Sequence, residues 1–285
     1  MIRLSNVGYT YPEASRPTLE GVSFEVDAGS ITGIAGASGA GKSTLAKLIA
    51  GFLPQVEGGE LTGSAIVGTR NLAELSLIEA VSQVGLVIQN PFNQISGARY
   101  TVRGEIAFGL ENLGTPRDEM AARVSEVAAL LRITDLLDRS PYALSGGQMQ
   151  LVAIASMLVL RTPVLVLDEP TSQLDPAGTR LVFSVLDTLR ATGATVLIVE
   201  HKLELLHAHA DRLLVLADRT IVADGTPTQV LADERLEHWG IAATRFTRAA
   251  RLARERALIA PDVPLPVSFD QAASLFAHPS SPLLP

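Results

Sequence analysis

The run GASGAGKST, from Gly36 to Thr44, is the most chemically specific segment of the sequence. Gly36, Gly39 and Gly41, with Ser38 and Ala40 between them, let backbone N–H groups turn inward around phosphates. The strand-like ITGIA leads into this run and the helix-like TLAKLIAGF opens as it closes at Thr44, which is the context a phosphate-binding loop needs. Lys42 would then reach the β and γ phosphates, and the Ser43 hydroxyl would bind magnesium. A second group, VLVLDEP, sets Asp168 and Glu169 at the carboxyl end of a buried strand, where ligands bind in doubly wound sheets. Asp168 suits the magnesium shell, and Glu169 could polarise a water for attack on the γ phosphate. His201 follows the strand-like TVLIV, so it is expected at the same sheet edge, where an imidazole can donate a hydrogen bond to that phosphate. Glu200 beside it reads as a flanking residue.

The elements that must carry these groups are legible as patterns. IRLSNVGY, GVSFEVDAGS, SITGIAG and the hairpin-like GGELTGSAIVG read as strands bounded by Gly and Pro. From Thr101 to Leu137 the period lengthens to that of helices, with Ile106, Leu110, Val124, Val127, Leu130 and Leu131 among charged residues. VLVL and TVLIV flank the helical GTRLVFSVLDTLRATG, which predicts a parallel sheet covered on both faces. RLLVLA and TIVADG are the last strands. Helix-forming residues run from Gln229 to about Leu258, and a tail from Pro261 to Pro285 holds six of the 16 prolines, so it should be partly irregular. Arg245, Arg248, Arg251 and Arg254 recur at three-residue spacing, which drifts around a helix instead of forming one stripe. They read as a solvated face or as a contact for lipid headgroups or an acidic partner. No internal repeat is visible.

Composition narrows the classes. Of 285 residues, 47% are hydrophobic and 19% charged, as expected of a folded protein. The net charge of -7 gives no electrostatic reason for a nucleic-acid partner. Absence of cysteine excludes disulfides, thiolate metal sites and thiol catalysis. The mean hydropathy of +0.27 hints at a membrane, yet the longest apolar run, Leu151 to Leu160, is about half of the roughly 20 residues a spanning helix needs. The start, MIRLSNVGYTYPE, has no apolar signal region, so the expectation is a cytosolic chain.

LSGGQ, Leu144 to Gln148, precedes the helical run MQLVAIASMLVL; alone it is ordinary helix-capping material. In the order P-loop, Gln89 after VGLVI, LSGGQ, VLVLDEP, SQLD and His201, it makes the segment from about Ile2 to Val230 resemble the ATP-binding cassette (ABC) family. That resemblance implies an α/β P-loop NTPase core of RecA-like type with an antiparallel β subdomain and a helical subdomain at about 90–144. The domain would cover 1–228, with a C-terminal helical extension and Pro-rich tail at 229–285. It implies ATP and Mg2+, and a second ATPase subunit, the same or similar, whose P-loop nucleotide is covered in trans by Ser145, Gly146, Gly147 and Gln148. By position, Gln89 would touch magnesium or the attacking water and sense a transmembrane subunit, and Asp175 would lie at the dimer interface. An aromatic ring should lie against adenine; Tyr11 is preferred, and Tyr9 stays open. IQNPFNQI, AFGLENLGTPRDEM and HADRLLVLADRTIVADGTP are similar to the energy-coupling-factor (ECF) ATPases, which implies import of a vitamin or transition-metal ion. A separate substrate-binding membrane protein and a peripheral place on the cytoplasmic face of the membrane would follow. The alternative is a non-transport ABC ATPase acting on ribosomes or DNA. One departure is noted: relatives usually carry a basic residue at the position of Met149 and arginine at that of Leu151.

Overall fold

A computed structural model describes residues 1–277. Its order is β1 (Ile2–Thr10), β2 (Leu19–Val26), β3 (Ile31–Ala35), α1 (Lys42–Ile49), β4 (Glu60–Val67), β5 (Arg70–Asn71), α2 (Leu77–Gln83) and β6 (Val84–Val87). Then come α3 (Val102–Asn112), α4 (Arg117–Leu130), α5 (Gly146–Leu158), β7 (Val164–Asp168), α6 (Pro176–Ala191), β8 (Thr195–Val199), α7 (Leu203–His209), β9 (Arg212–Ala217) and β10 (Thr220–Gly225). The chain ends in α8 (Pro227–Ala232), α9 (Arg245–Glu255) and α10 (Phe269–Ala277).

Two sheets form, a four-stranded one in the order β2-β1-β4-β5 and a six-stranded one in the order β10-β9-β3-β8-β7-β6. In the first, all pairs are antiparallel, and β1 alternates buried with exposed residues because only one face meets a core. In the second, β9, β3, β8, β7 and β6 run parallel, with β10 antiparallel at the edge. Every residue of β3, β7 and β8 is buried, as continuous apolar strands covered on both faces must be.

The two faces take alternate side chains. Ile34, Val166, Leu197 and Leu214 pack on α1 and the antiparallel sheet. Ile31, Leu165, Val196 and Leu213 pack in a second core with α3, α4, α5 and α6. Register then decides where the chemistry sits. Ile34 pairs with Val199, Val199 with Asp168, and Leu167 with Val87. The carboxyl ends of β3, β8, β7 and β6 therefore lie along one edge.

The helical expectation for 229–258 needs correction. The helical pattern from Gln229 to Leu258 is broken: α8 stops at Ala232, Trp239 is buried, Gly240 takes φ 73°, and α9 starts only at Arg245. The proline-bearing tail contains α10; Pro279, Pro282 and Pro285 lie outside the described residues. Three of the four arginines pair with this chain's own acids, Arg245 with Glu204 and Arg251 with Glu237 at 3.0 Å, and Arg254 with Glu234 at 3.5 Å. α9 also buries Ala250 and Ala253 with Ile259 and Leu265.

Candidate nucleotide site

The phosphate-loop residues are placed by β3 and α1. Gly36 lies so close to the next strand that a Cβ would sit 2.4 Å from the Leu216 carbonyl oxygen, so no larger residue fits. Gly39 and Gly41 adopt φ of 79° and 102°, the left-handed region that glycine enters without steric cost. Gly41 is the N-cap of α1 and offers no side-chain cap, leaving first-turn N–H groups and the positive end of the helix dipole facing the loop. Lys42, the first residue of α1, bends back to donate to the carbonyl oxygens of Gly36 and Ala37 at 2.9 and 2.8 Å. Burial lowers its pKa, and the charges of Glu169 and Asp168 oppose that. Ser38 is exposed and Ala40 half-buried on the loop.

The two tyrosines part company. Tyr9 is 1% exposed, donates to the Gly58 carbonyl and belongs to the core. Tyr11 lies half-buried beyond the end of β1, its hydroxyl 3.2 Å from that of Thr44, and meets Tyr9 edge to face at 4.9 Å. The ring available beside the loop is thus Tyr11.

Opposite the loop stand the acids. Asp168 is 5% exposed; burial raises its pKa, and a hydrogen bond from Ser43 pulls the other way. Its Oδ1 is buried without a hydrogen-bond partner. An orphaned carboxylate oxygen beside a serine hydroxyl fits a hard divalent cation that takes oxygen ligands and keeps several waters. Glu169 sits at φ 50°, a strained backbone for a non-glycine residue, costing about 1–3 kcal/mol. Its amide donates to the Val199 carbonyl at 2.9 Å. Gln89 Nε2 donates to Glu169 Oε2 at 2.7 Å, and His201 Nε2 lies 2.8 Å from Oε1. The carboxylate is thus gripped from both sides, by residues 80 and 32 positions away. Of the expected metal ligands, Ser43 and Asp168 come together, while Gln89 engages Glu169.

Ser145 caps α5 in a reciprocal box with Gln148, and Gly146 and Gly147 pack on Gln173, whose oxygens would lie 3.2 Å from an added Cβ. Asp175 caps α6 by accepting from the Gly178 amide at 2.7 Å. Among the described residues no hydrogen bond joins 145–148 to 36–44. At the departure after LSGGQ, Met149 is a core residue and Leu151 packs against that core, so apolar contacts support α5. The flanking reading of Glu200 is corrected: it is 4% exposed and accepts hydrogen bonds from Thr171 and from the amides of His201 and Lys202.

A P-loop flanked by a parallel-sheet edge bearing Asp168, Glu169 and His201 defines a nucleotide-binding α/β domain. The family described as "ABC transporter" matches residues 19–172. A "Putative ABC transporter ATP-binding protein" of Methanosarcina acetivorans is 38% identical over 253 residues, covering 88% of this chain and 41% of that protein. The chain thus spans about two-fifths of that relative's length. The energy-coupling factor transporter ATP-binding protein EcfA1 of Lacticaseibacillus paracasei is 42% identical over 233 residues, 81% of each chain. The solved structure of cbiO1 from Clostridium perfringens, part of the ABC transporter complex cbiONQ, superposes with TM-score 0.72 at 28% identity, covering 89% of this chain and 98% of that one. The chain belongs to the ABC transporter ATP-binding family and has the ABC ATPase fold. No helix among the described residues is long and apolar enough to cross a membrane.

Proposed function

We propose that this chain hydrolyses Mg-ATP as one of a pair of ATPase subunits that drive a transmembrane partner, in a transporter of ECF type importing a vitamin or transition-metal ion. The observation that carries the reading is the Glu169 carboxylate, fixed between Gln89 and His201 at the sheet edge that also holds Lys42 and Asp168.

The phosphates of ATP lie against the amides of residues 36–44, and Lys42 exchanges its two carbonyl partners for β- and γ-phosphate oxygens. Tyr11 stacks on adenine. Ser43 and Asp168 hold Mg2+, which when bound neutralises charge on the phosphates. Glu169 accepts a hydrogen bond from the attacking water and takes its proton. His201 and Gln89 keep that carboxylate aimed, and His201 contacts the γ phosphate. Ser145, Gly146, Gly147 and Gln148 of a second subunit close the site, with Asp175 near the junction, since this chain's own signature makes no bond to its own loop.

In domain terms, 1–228 is the nucleotide-binding domain with a helical subdomain at about 90–144, and 229–285 is the extension. The loop that starts at Gln89 leads to Phe92 and to Tyr100, the latter 92% exposed, and Tyr142 is also exposed. Exposed aromatic side chains on the segment after Gln89 and at Tyr142 suit a partner buried in the membrane's cytoplasmic face, and a net charge of -7 does not favour the alternative of ribosome or DNA.

Glu169→Gln tests the reading. Steady-state hydrolysis should fall by roughly 10² or more, the usual worth of a positioned base, while Mg-ATP binding persists. Unchanged turnover would remove Glu169 from its role.

A further inference from the structure

Two segments must keep their relative position for the site to hold together: the one that carries Glu169 from β7 towards α6, and the one that carries His201 from β8 into α7. Between them lies a polar cluster whose core, Thr171 and Glu200, is buried and whose outer member, Lys202, is exposed. Thr171 is 1% exposed and Glu200 4%. The Thr171 hydroxyl donates to Glu200 Oε2 at 2.7 Å. Glu200 Oε1 accepts the amide of His201 at 3.0 Å and that of Lys202 at 3.3 Å. Lys202 Nζ closes the ring, donating to Thr171 Oγ1 at 2.9 Å and to its carbonyl oxygen at 3.2 Å. The Glu200 amide in turn donates to the carbonyl of Ile34, next to last in β3, at 3.3 Å.

A carboxylate buried this far costs several kcal/mol unless its oxygens are bonded and its charge is matched. Here both oxygens are satisfied, and the Lys202 ammonium reaches the charge through one hydroxyl. A cluster only needed to start α7 would require the two amide bonds alone. The bond across to Thr171 and the second bridge from Lys202 add nothing to α7; they join it to the Glu169 segment.

We propose that Glu200, with Thr171 and Lys202, is a positioning residue for hydrolysis: it locks the backbone on either side of the 2.8 Å contact between His201 and Glu169. It touches neither nucleotide nor water. The proposal rests on the ATP-hydrolysis reading, and it adds a determinant that lies one layer behind the reacting groups. Small misplacement of such groups lowers turnover by up to about 10² without altering affinity.

The test is steady-state hydrolysis of Mg-ATP by the full chain or its complex with the membrane partner, with calorimetric nucleotide binding on the same samples. Glu200→Ala should lower kcat by about 10-fold or more and leave KM and nucleotide affinity within about 2-fold. Glu200→Gln, which keeps the acceptor for both amides, should recover most of kcat. Thr171→Val, which deletes only the cross-link, should lower kcat on its own, and Glu200→Ala combined with Thr171→Val should be no slower than Glu200→Ala alone. If Glu200→Ala does not fold, Thr171→Val and Glu200→Gln decide. A folded Glu200→Ala or Thr171→Val with wild-type kcat overturns the proposal, and so does a double variant whose losses multiply. Wild-type chain that binds no nucleotide would instead remove the parent reading.

Discussion

At the scale of single residues, the site gives up stability so that it can bind charge. Asp168 is buried with one oxygen unpartnered, and Glu169 holds a left-handed backbone. For Asp168 the sign follows from burial: its folded pKa lies above the ordinary 3.8, so ionisation disfavours the folded state. Stability from this group is fully present below pH 3.8 and is lost as pH rises through the folded value. Asp168→Asn, which keeps a hydrogen-bond acceptor for Ser43, should therefore raise Tm in magnesium- and nucleotide-free buffer at pH 8, by a margin that shrinks on acidification, while hydrolysis is lost. Thermal melts across that pH range check this; a lower Tm at pH 8 would contradict it. Most of the site's chemistry could be read locally, because Lys42 and Ser43 close a glycine-rich loop and Asp168, Glu169 and His201 stand at or just after the ends of short apolar strands. Glu200 could not, since an acid after a strand is ordinary until Thr171, 29 positions away, is found to bond it.

At the scale of elements, what was legible depended on how local the cause was. β3, β7 and β8 stood out because a strand buried on both faces must be apolar throughout. The C-terminal helices were harder: residues 229–258 have helical composition, but the chain turns at Gly240 to bury Trp239, a tertiary preference that no local pattern announces. Three of the four arginines illustrate the same limit, since the partners of Arg245, Arg251 and Arg254, namely Glu204, Glu237 and Glu234, are recognisable only once the chain has folded. The Arg245 pair is exposed on both sides and worth about 0–1 kcal/mol; the extension is held by the packed side of α9. Arg245→Gln should thus change Tm by a degree or so, whereas Ala250→Leu, which overfills a fully buried site, should cost about 1–3 kcal/mol. Equal effects of the two in denaturant unfolding would show that charge, not packing, docks the helix.

At the scale of the molecule, a single sheet edge collects side chains carried by four strands and scattered from Lys42 to His201, and the register of β6, β7, β8 and β3 makes them neighbours. No hydrogen bond among the described residues joins signature residues 145–148 to the loop at 36–44, and family resemblance assigns them to the site of a second subunit in the proposed cycle. All of it depends on the loop at 36–44 holding a nucleotide. Isothermal calorimetry of the full chain with Mg-ATP tests that claim most directly: wild type and Glu169→Gln should bind one nucleotide per chain, and Lys42→Ala should lose at least about 10-fold in affinity, as expected where a charge-assisted contact worth about 1.5–3 kcal/mol is removed. Folded wild-type chain that takes up no Mg-ATP, or Lys42→Ala that binds it as tightly as wild type, would contradict the account.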